Sequence, residues 1–445
     1  MRRRHHAAHA LGVAAVALVA RLAVVLWAAH AIPPSADGTY YEKLAERLAA
    51  GQGYTWLWPD GAVTYAAHYP VGYPAILALG YTLFGVAPVV AMLVNALIGT
   101  AGAVAAWSLV GKASTATDGR LALGAGLAVA LHPVLVPYTA AIMTEGVTAS
   151  FLVIAAALAA HARRRQSWHW LVAMGLVLGV ATLVRPQSLV FAPVFGALAL
   201  NRANYRQRAL AGGLALGIAL AVCAPWTARN CRRMERCALV SVNGGWNLAI
   251  GAQTNNGAWQ PIDVPEPCRE VFQEAAKDTC FGKEAQKGIL AHPLAWIARM
   301  PAKLRATFDY FGAAPWYLNT ANPKAFSERA KLALGGLETI VSRLLLAAAL
   351  VSVWRAPGQR KLARRVVVGV GLAACVLVPG TVGYLALAVG IVLVWRRLPL
   401  VMSTSAVVIL ATAAIHAVFF GAGRYGIVVV PFVTCLAFTR IPETR

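Results

Sequence analysis

The chain is short of charge, and shortest of acids. Aspartate and glutamate supply 17 of 445 residues, and all charged residues together make up 13%. A soluble domain carries roughly 25%, so an ordinary soluble enzyme is excluded. Apolar side chains fill the gap at 59%, which defines an all-α polytopic membrane protein. The 40 Lys and Arg leave a net charge of +23. A surplus of that size would suit nucleic acid, but here the basic residues sit between hydrophobic runs, as cytoplasmic loops require. No nucleic-acid partner is expected. Cysteine is scarce too, with seven residues and no Cys-x-x-Cys spacing, which argues against a zinc site. No cofactor is expected, and a divalent ion near Glu145 or His68 has no support.

A span needs about 20 apolar residues. About twelve candidates occur: Leu11–Ala31, Pro88–Val110, Leu121–Pro137, Ala141–Ala160, Trp168–Leu183, Leu189–Leu200, Ala209–Trp226, Leu334–Trp354, Val366–Val378, Val382–Trp395, Met402–Phe420 and Gly426–Phe438. The first is long enough to span and has no small-residue cleavage site after it, so it reads as a retained helix rather than a signal peptide. Alternate connections collect the positive charge, from Arg2–Arg4 and Arg163–Arg165 through Arg202 and Arg396–Arg397 to Arg440. That side is expected to be cytoplasmic, with both termini there, in a plasma membrane. The opposite, outer side then holds a first loop over 32–87 and a large loop of mixed charge. The chain divides accordingly into an N-terminal transmembrane region (1–226), an external subdomain (227–333) and C-terminal transmembrane helices (334–445).

The outer loop carries Cys231, Cys237, Cys268 and Cys280. On an oxidising side these predict two disulfides, with three pairings open. Cys223, Cys375 and Cys435 lie in apolar spans, where cysteine is a small buried hydrophobe. Near the end of the loop Leu294, Ile297, Leu304 and Phe308 recur at near-helical spacing among Arg299, Lys303 and Arg305. That helix either lies on the outer membrane surface or caps the loop's own core.

So few acids make elimination possible. Glu42 and Glu46 share a short helix with Lys43 and Arg47, Asp60 sits in a Pro-Asp-Gly turn, Asp118 is cytoplasmic, Glu443 is in the tail, and nine lie in the large loop. Asp37 and Glu145 remain near the outer surface, with Glu338 at the head of its span. Thr39 and Glu42 read as a capping box, which leaves Asp37, two residues upstream, without a capping duty. Asp37 is therefore the candidate for catalysis, against a turn or cap role. Glu145 opens a helix at the same level, where an acid is favoured by the dipole alone. Arg185 ends one span and Arg424 begins the last. Each either snorkels or helps to clamp a phosphate, which suits the guanidinium fork. Arg21 lies mid-span, where a charge is costly. His68 and Tyr69 precede Pro70-Val-Gly-Tyr-Pro74, which is also explained as a rigid loop packed on the bundle.

Asp37 followed by Tyr40, Leu44-Ala45, Leu48 and Gly51-x-Gly53-Tyr54 resembles the class C (GT-C) membrane glycosyltransferases. So do the Pro70–Pro74 block leading into Leu83-Phe84-Gly85, Thr144-Glu145-Gly146, Leu183-Val184-Arg185-Pro186, Pro225-Trp226-x-x-x-Asn230, the His292-Pro293 to Lys303-Leu304 segment, and Gly423-Arg424-Tyr425. The set is similar to the branch holding protein O-mannosyltransferases and the lipid A aminoarabinose transferase. The resemblance implies transfer of a sugar from a polyprenyl-phosphate donor to a lipid, glycan or protein acceptor at the outer face of the bilayer. It implies Asp37 as base, with Tyr40, His68, Tyr73, Glu145, Arg185, Arg424 and Tyr425 as substrate-binding residues. Two departures stand out. His68 replaces the arginine that usually opens the Pro-Gly-Tyr-Pro block. Asp37-Gly38 replaces the Asp-Glu pair of the protein O-mannosyltransferases, which points away from a protein acceptor. The competing readings are a transporter or flippase of lipid-linked sugars, and a non-catalytic envelope-assembly protein.

Overall fold

The computed structural model describes residues 2–113, 119–200, 204–356, 360–377, 380–394 and 398–440. Asp118, Arg202, Pro379, Arg396, Arg397 and Glu443 lie outside the described residues. The first part runs α1 (Arg2–Ala31), α2 (Asp37–Ala49), a hairpin of β1 (Thr55–Leu57) and β2 (Val63–Tyr65), α3 (Gly72–Phe84), α4 (Pro88–Ala113), α5 (Gly119–Ala130), α6 (Thr144–Arg165), α7 (Trp168–Val184), α8 (Phe191–Leu198) and α9 (Tyr205–Arg233). The large loop then folds as α10 (Gly244–Gln253), α11 (Glu274–Ala291), α12 (Pro293–Phe308) and α13 (Ala313–Ala321). The chain closes with α14 (Glu328–Trp354), α15 (Lys361–Leu377), α16 (Gly380–Val394), α17 (Leu400–Val418), α18 (Gly423–Gly426) and α19 (Val430–Ala437).

This is the expected all-α membrane architecture. Among the described residues six helices (α1, α4, α6, α9, α14, α17) are long and apolar enough to span, joined by shorter apolar ones. α4 packs against α1, α5 and α6, while α19 wedges between that group and α14 and α17, so one core joins both ends of the chain. Three expected elements differ. The helix over Leu121–Pro137 stops at Ala130, and a 3₁₀ turn covers Pro137–Ala140. His132-Pro133 explains this, because proline removes a backbone donor and drives its predecessor out of the α region. The Ala75–Phe84 run, left in the first outer loop by the span count, continues the Gly-Tyr-Pro block as α3. Lastly, the α12 segment packs on the C-terminal helices and not on the loop's own core alone. Its buried Lys303, Thr307 and Phe308 face α16, α17 and α18, while Leu294 and Ile297 stay exposed.

Cys231 pairs with Cys237, and Cys268 with Cys280, which resolves the three open pairings. Alkylation of the denatured, unreduced chain should therefore label only Cys223, Cys375 and Cys435. Labelling of all seven would contradict the oxidised loop. Reporter fusions after Arg165 and after Asn256 should score on opposite sides of the membrane, the first cytoplasmic. Equal scores at the two positions would overturn the topology.

Candidate active site

Helix α2 begins on Asp37 itself, preceded by Ala36 at φ 51° with no side-chain cap. The capping box read from Thr39 and Glu42 does not form. Pro33 and Pro34 deliver the chain into the helix earlier, with Ala36 and not Thr39 at the cap position, and the Thr39 hydroxyl turns back to the Pro34 carbonyl. Asp37 is nevertheless free of capping, and its carboxylate points to the end of the bundle where four other chain segments converge.

Two of those segments are set by close backbone approach. In the Pro-Val-Gly-Tyr-Pro block, a Cβ on Gly72 would collide with the backbone of Leu183 and Val184. Only glycine lets the start of α3 press on the end of α7, where Arg185 leaves the helix ahead of Pro186. At the other side, a Cβ on Gly423 would meet the carbonyls of Tyr310 and Phe311. The strap carrying Arg424 therefore lies flat against the end of α12. Lys303 of α12 ties the same corner by donating to the carbonyls of Ala417 and Val418 at the end of α17, at 3.2 and 3.1 Å, where a cation complements the helix dipole.

The resulting cluster alternates acid and guanidinium. Arg424 Nη1 lies 2.7 Å from Asp37 Oδ2, and its Nε lies 3.5 Å from Glu145 Oε1. Arg185 Nη1 lies 2.8 Å from the same Glu145 oxygen. The Tyr138 hydroxyl donates to Glu145 Oε2 at 2.8 Å. The Tyr69 hydroxyl reaches Asp37 Oδ1 at 3.3 Å. Burial, and then the Asp37 charge, hold the Tyr69 phenol well above the ordinary tyrosine range, so it remains an O–H donor. Exposure grades outward: 3% for the Glu145 side chain, 12% for Arg185, 21% for Arg424 and 33% for Asp37. Glu145 is thus a buried anchor holding both arginines, and Asp37 is the acid that solvent or substrate can reach.

The other expected residues separate into two groups. Tyr425 belongs to the cluster, with the Arg185 and Arg424 guanidinia 5.0 and 5.1 Å from its ring centre. Tyr40, stacked between Trp56 and Tyr69, forms an accessible aromatic wall beside Asp37. Tyr73 is buried in the bundle, and its hydroxyl donates to Asn95. His68 is drawn toward the large loop, where the amides of Ala67 and His68 donate to Glu274 and its ring meets Trp246. Burial pushes the His68 imidazole below its ordinary range. Residues that motif reading missed include Tyr138, Gln187 and His416. Gln187, in the amide orientation its neighbours require, accepts from Arg185 at 2.9 and 3.1 Å. His416 stacks flat on Tyr425 at 4.3 Å and bonds the Phe420 carbonyl through Nδ1. A polar ring within the apolar Met402–Phe420 run was the one available signal for it. No three His, Cys, Asp or Glu side chains converge as metal ligands among the described residues.

Residues 68–228 match the family model described as dolichyl-phosphate-mannose-protein mannosyltransferase. The match bears out the class C glycosyltransferase resemblance read from the motifs. It takes in Glu145 and Arg185, while Asp37 and Arg424 lie outside it. No curated protein sequence gives a significant match. The chain is also similar to solved structures. One is the archaeal oligosaccharyltransferase AglB from Archaeoglobus fulgidus, in complex with an inhibitory peptide and a dolichol-phosphate (12% identity, 98% of this chain and 50% of that one, TM-score 0.49). Another is ArnT from Cupriavidus metallidurans bound to undecaprenyl phosphate (15% identity, 96% and 76%, TM-score 0.43). The chain thus spans about half the length of the oligosaccharyltransferase and about three quarters of ArnT.

Proposed function

We propose that the protein is a membrane glycosyltransferase that moves a sugar from a polyprenyl-phosphate donor to an envelope lipid, glycan or protein on the outer face of the membrane, by a single inverting displacement. The observation that carries this is the pairing of an accessible carboxylate with two guanidinia at one end of the bundle: Asp37 held by Arg424, and Arg185 joined to the same cluster through Glu145. The acceptor hydroxyl attacks the anomeric carbon and passes its proton to Asp37. The bond from that carbon to the donor phosphate oxygen breaks, and the charge left on the lipid phosphate is met by Arg424 and Arg185. A lipid phosphate leaves as an anion and needs no acid to protonate it, and a single displacement needs no second carboxylate as nucleophile. The arriving phosphate competes with Asp37 for Arg424, which would release the carboxylate as the donor seats. The reading invokes no cofactor.

A transporter would want charge at mid-membrane, and Arg21 lies mid-span. Its Nη1 donates to the carbonyls of Ala17 and Ala130 at 3.1 and 3.0 Å, which pins α1 to the end of α5 and suits a structural bond. Arg424→Ala and Arg185→Ala should weaken use of the donor by about tenfold to a hundredfold, the worth of a hydrogen bond to a charged group. The loss should appear mainly in the KM for a polyprenyl-phosphate sugar. Unchanged KM in both variants would remove the phosphate clamp from the mechanism.

A further inference from the structure

We infer that the cleft between α10 and α11 is a binding site for an acidic sugar unit, one bearing a phosphate or carboxylate, and that it holds the acceptor; the second half of this rests on the transferase reading. The cleft is open to the surface and offers about 300 Å³, at the lower end of the range for ligand pockets, roughly 300–1,000 Å³. It exists because α10 and α11 touch backbone to backbone: a Cβ on Gly245 would collide with the Asp278 carbonyl. With no side chains at Gly244, Gly245 and Gly282, the space beside that crossing stays open.

The lining is chemically uneven. Asp278 is buried and already engaged, accepting the Trp246 amide at 3.0 Å through one oxygen and facing Arg236 at 3.9 Å through the other. Its charge is balanced within the wall. Lys283 projects into the same space exposed, with no ion pair among those formed by the described residues. A positive charge is therefore left over for a ligand. Gln286 adds a hydrogen-bonding amide, and Leu248 and Phe419 an apolar side, while the Thr279 hydroxyl is already bonded to Ala275 and Arg236. A cation, an amide and an apolar face complement the anionic group, hydroxyls and C–H face of a charged sugar ring. Phosphate or carboxylate would sit on the Lys283 ammonium.

The position fits an acceptor. The wall residue Asp278 holds the Trp246 amide, the Trp246 ring meets His68, and the adjacent Tyr69 bonds Asp37. The cleft also reaches Phe419, five residues before Arg424. The cleft is thus linked to the carboxylate cluster through Trp246, His68 and Tyr69.

The test is ligand-observed saturation-transfer NMR on the full chain in detergent, with glucose 6-phosphate, glucuronate and glucose as probes. Both anionic sugars should bind, and glucose at least about tenfold more weakly, as expected for loss of a charge-assisted hydrogen bond. Lys283→Glu should weaken glucose 6-phosphate binding by a similar factor. Gly244→Trp, where nothing lies within 4 Å of a new Cβ, should fill the cleft and abolish it. Asp37→Asn should bind as the parent does, so a failure of the transferase reading leaves this result intact. Equal binding of all three sugars, or binding indifferent to both cleft variants, would overturn the proposal.

Discussion

Asp37→Asn should abolish sugar transfer, by roughly 10²–10⁴-fold, and leave a folded protein. The amide keeps the size of the carboxylate and an oxygen for the Tyr69 hydroxyl, so the end of the bundle keeps its packing. It loses the ability to take a proton from an acceptor hydroxyl. The ion pair with Arg424 is lost as well, yet Arg424 retains Glu145 at 3.5 Å, and Asp37 is a third exposed, so little folding energy depends on that pair. The effect should therefore fall on turnover and not on stability. The measurement is transfer of label from a polyprenyl-phosphate sugar, beside thermal unfolding of the same preparation. Near-normal turnover in Asp37→Asn, with Glu145→Gln inactive, would move the base to the buried acid.

Glu145→Ala should act in the opposite way and destabilise the protein by about 3–5 kcal/mol, the usual result of removing one partner from a buried ion pair. Glu145 is the shared anchor of Arg185, Arg424 and Tyr138. Its loss leaves the largely buried Arg185 without its ion pair, Arg424 with Asp37 alone, and the Tyr138 hydroxyl without its acceptor. A change of that size is a large part of a typical folding free energy of about 5–15 kcal/mol. It should appear as a clear fall in the unfolding temperature in detergent. Glu145→Gln should fall less, because its carbonyl still accepts from Tyr138. An unfolding temperature for Glu145→Ala equal to the parent's would mean that the arginines are held by their strap and helix end alone.

Much of this was legible in the residues. The membrane class followed from apolar content, because burying backbone in a bilayer requires helices. Asp37 emerged by elimination, although one step of that elimination failed: the Thr39 box never forms, since the helix starts on Asp37. Arg185 and Arg424 were nominated separately. That they meet at Glu145 could not be read from a chain in which 239 positions separate them. Their meeting depends on backbone contacts at Gly72 and Gly423, and a glycine in sequence does not reveal which backbone it admits. Tyr69 was noted only as a neighbour of His68, and it is Tyr69 that touches Asp37. His68 points instead to the large loop, because the amides around it are captured by Glu274 from 206 residues away. Cysteine spacing left three pairings, and only the folding of the loop chose one.

The most direct test of the central reading uses the purified protein in liposomes carrying a polyprenyl-phosphate sugar labelled in the sugar, with envelope glycolipids and glycans as acceptors. A glycosyltransferase will move the label out of the polyprenyl pool and into an acceptor, and Asp37→Asn protein will leave it there. Label that stays on the polyprenyl phosphate in the parent protein, whether it remains in its leaflet or crosses intact to the other, would contradict the transferase reading.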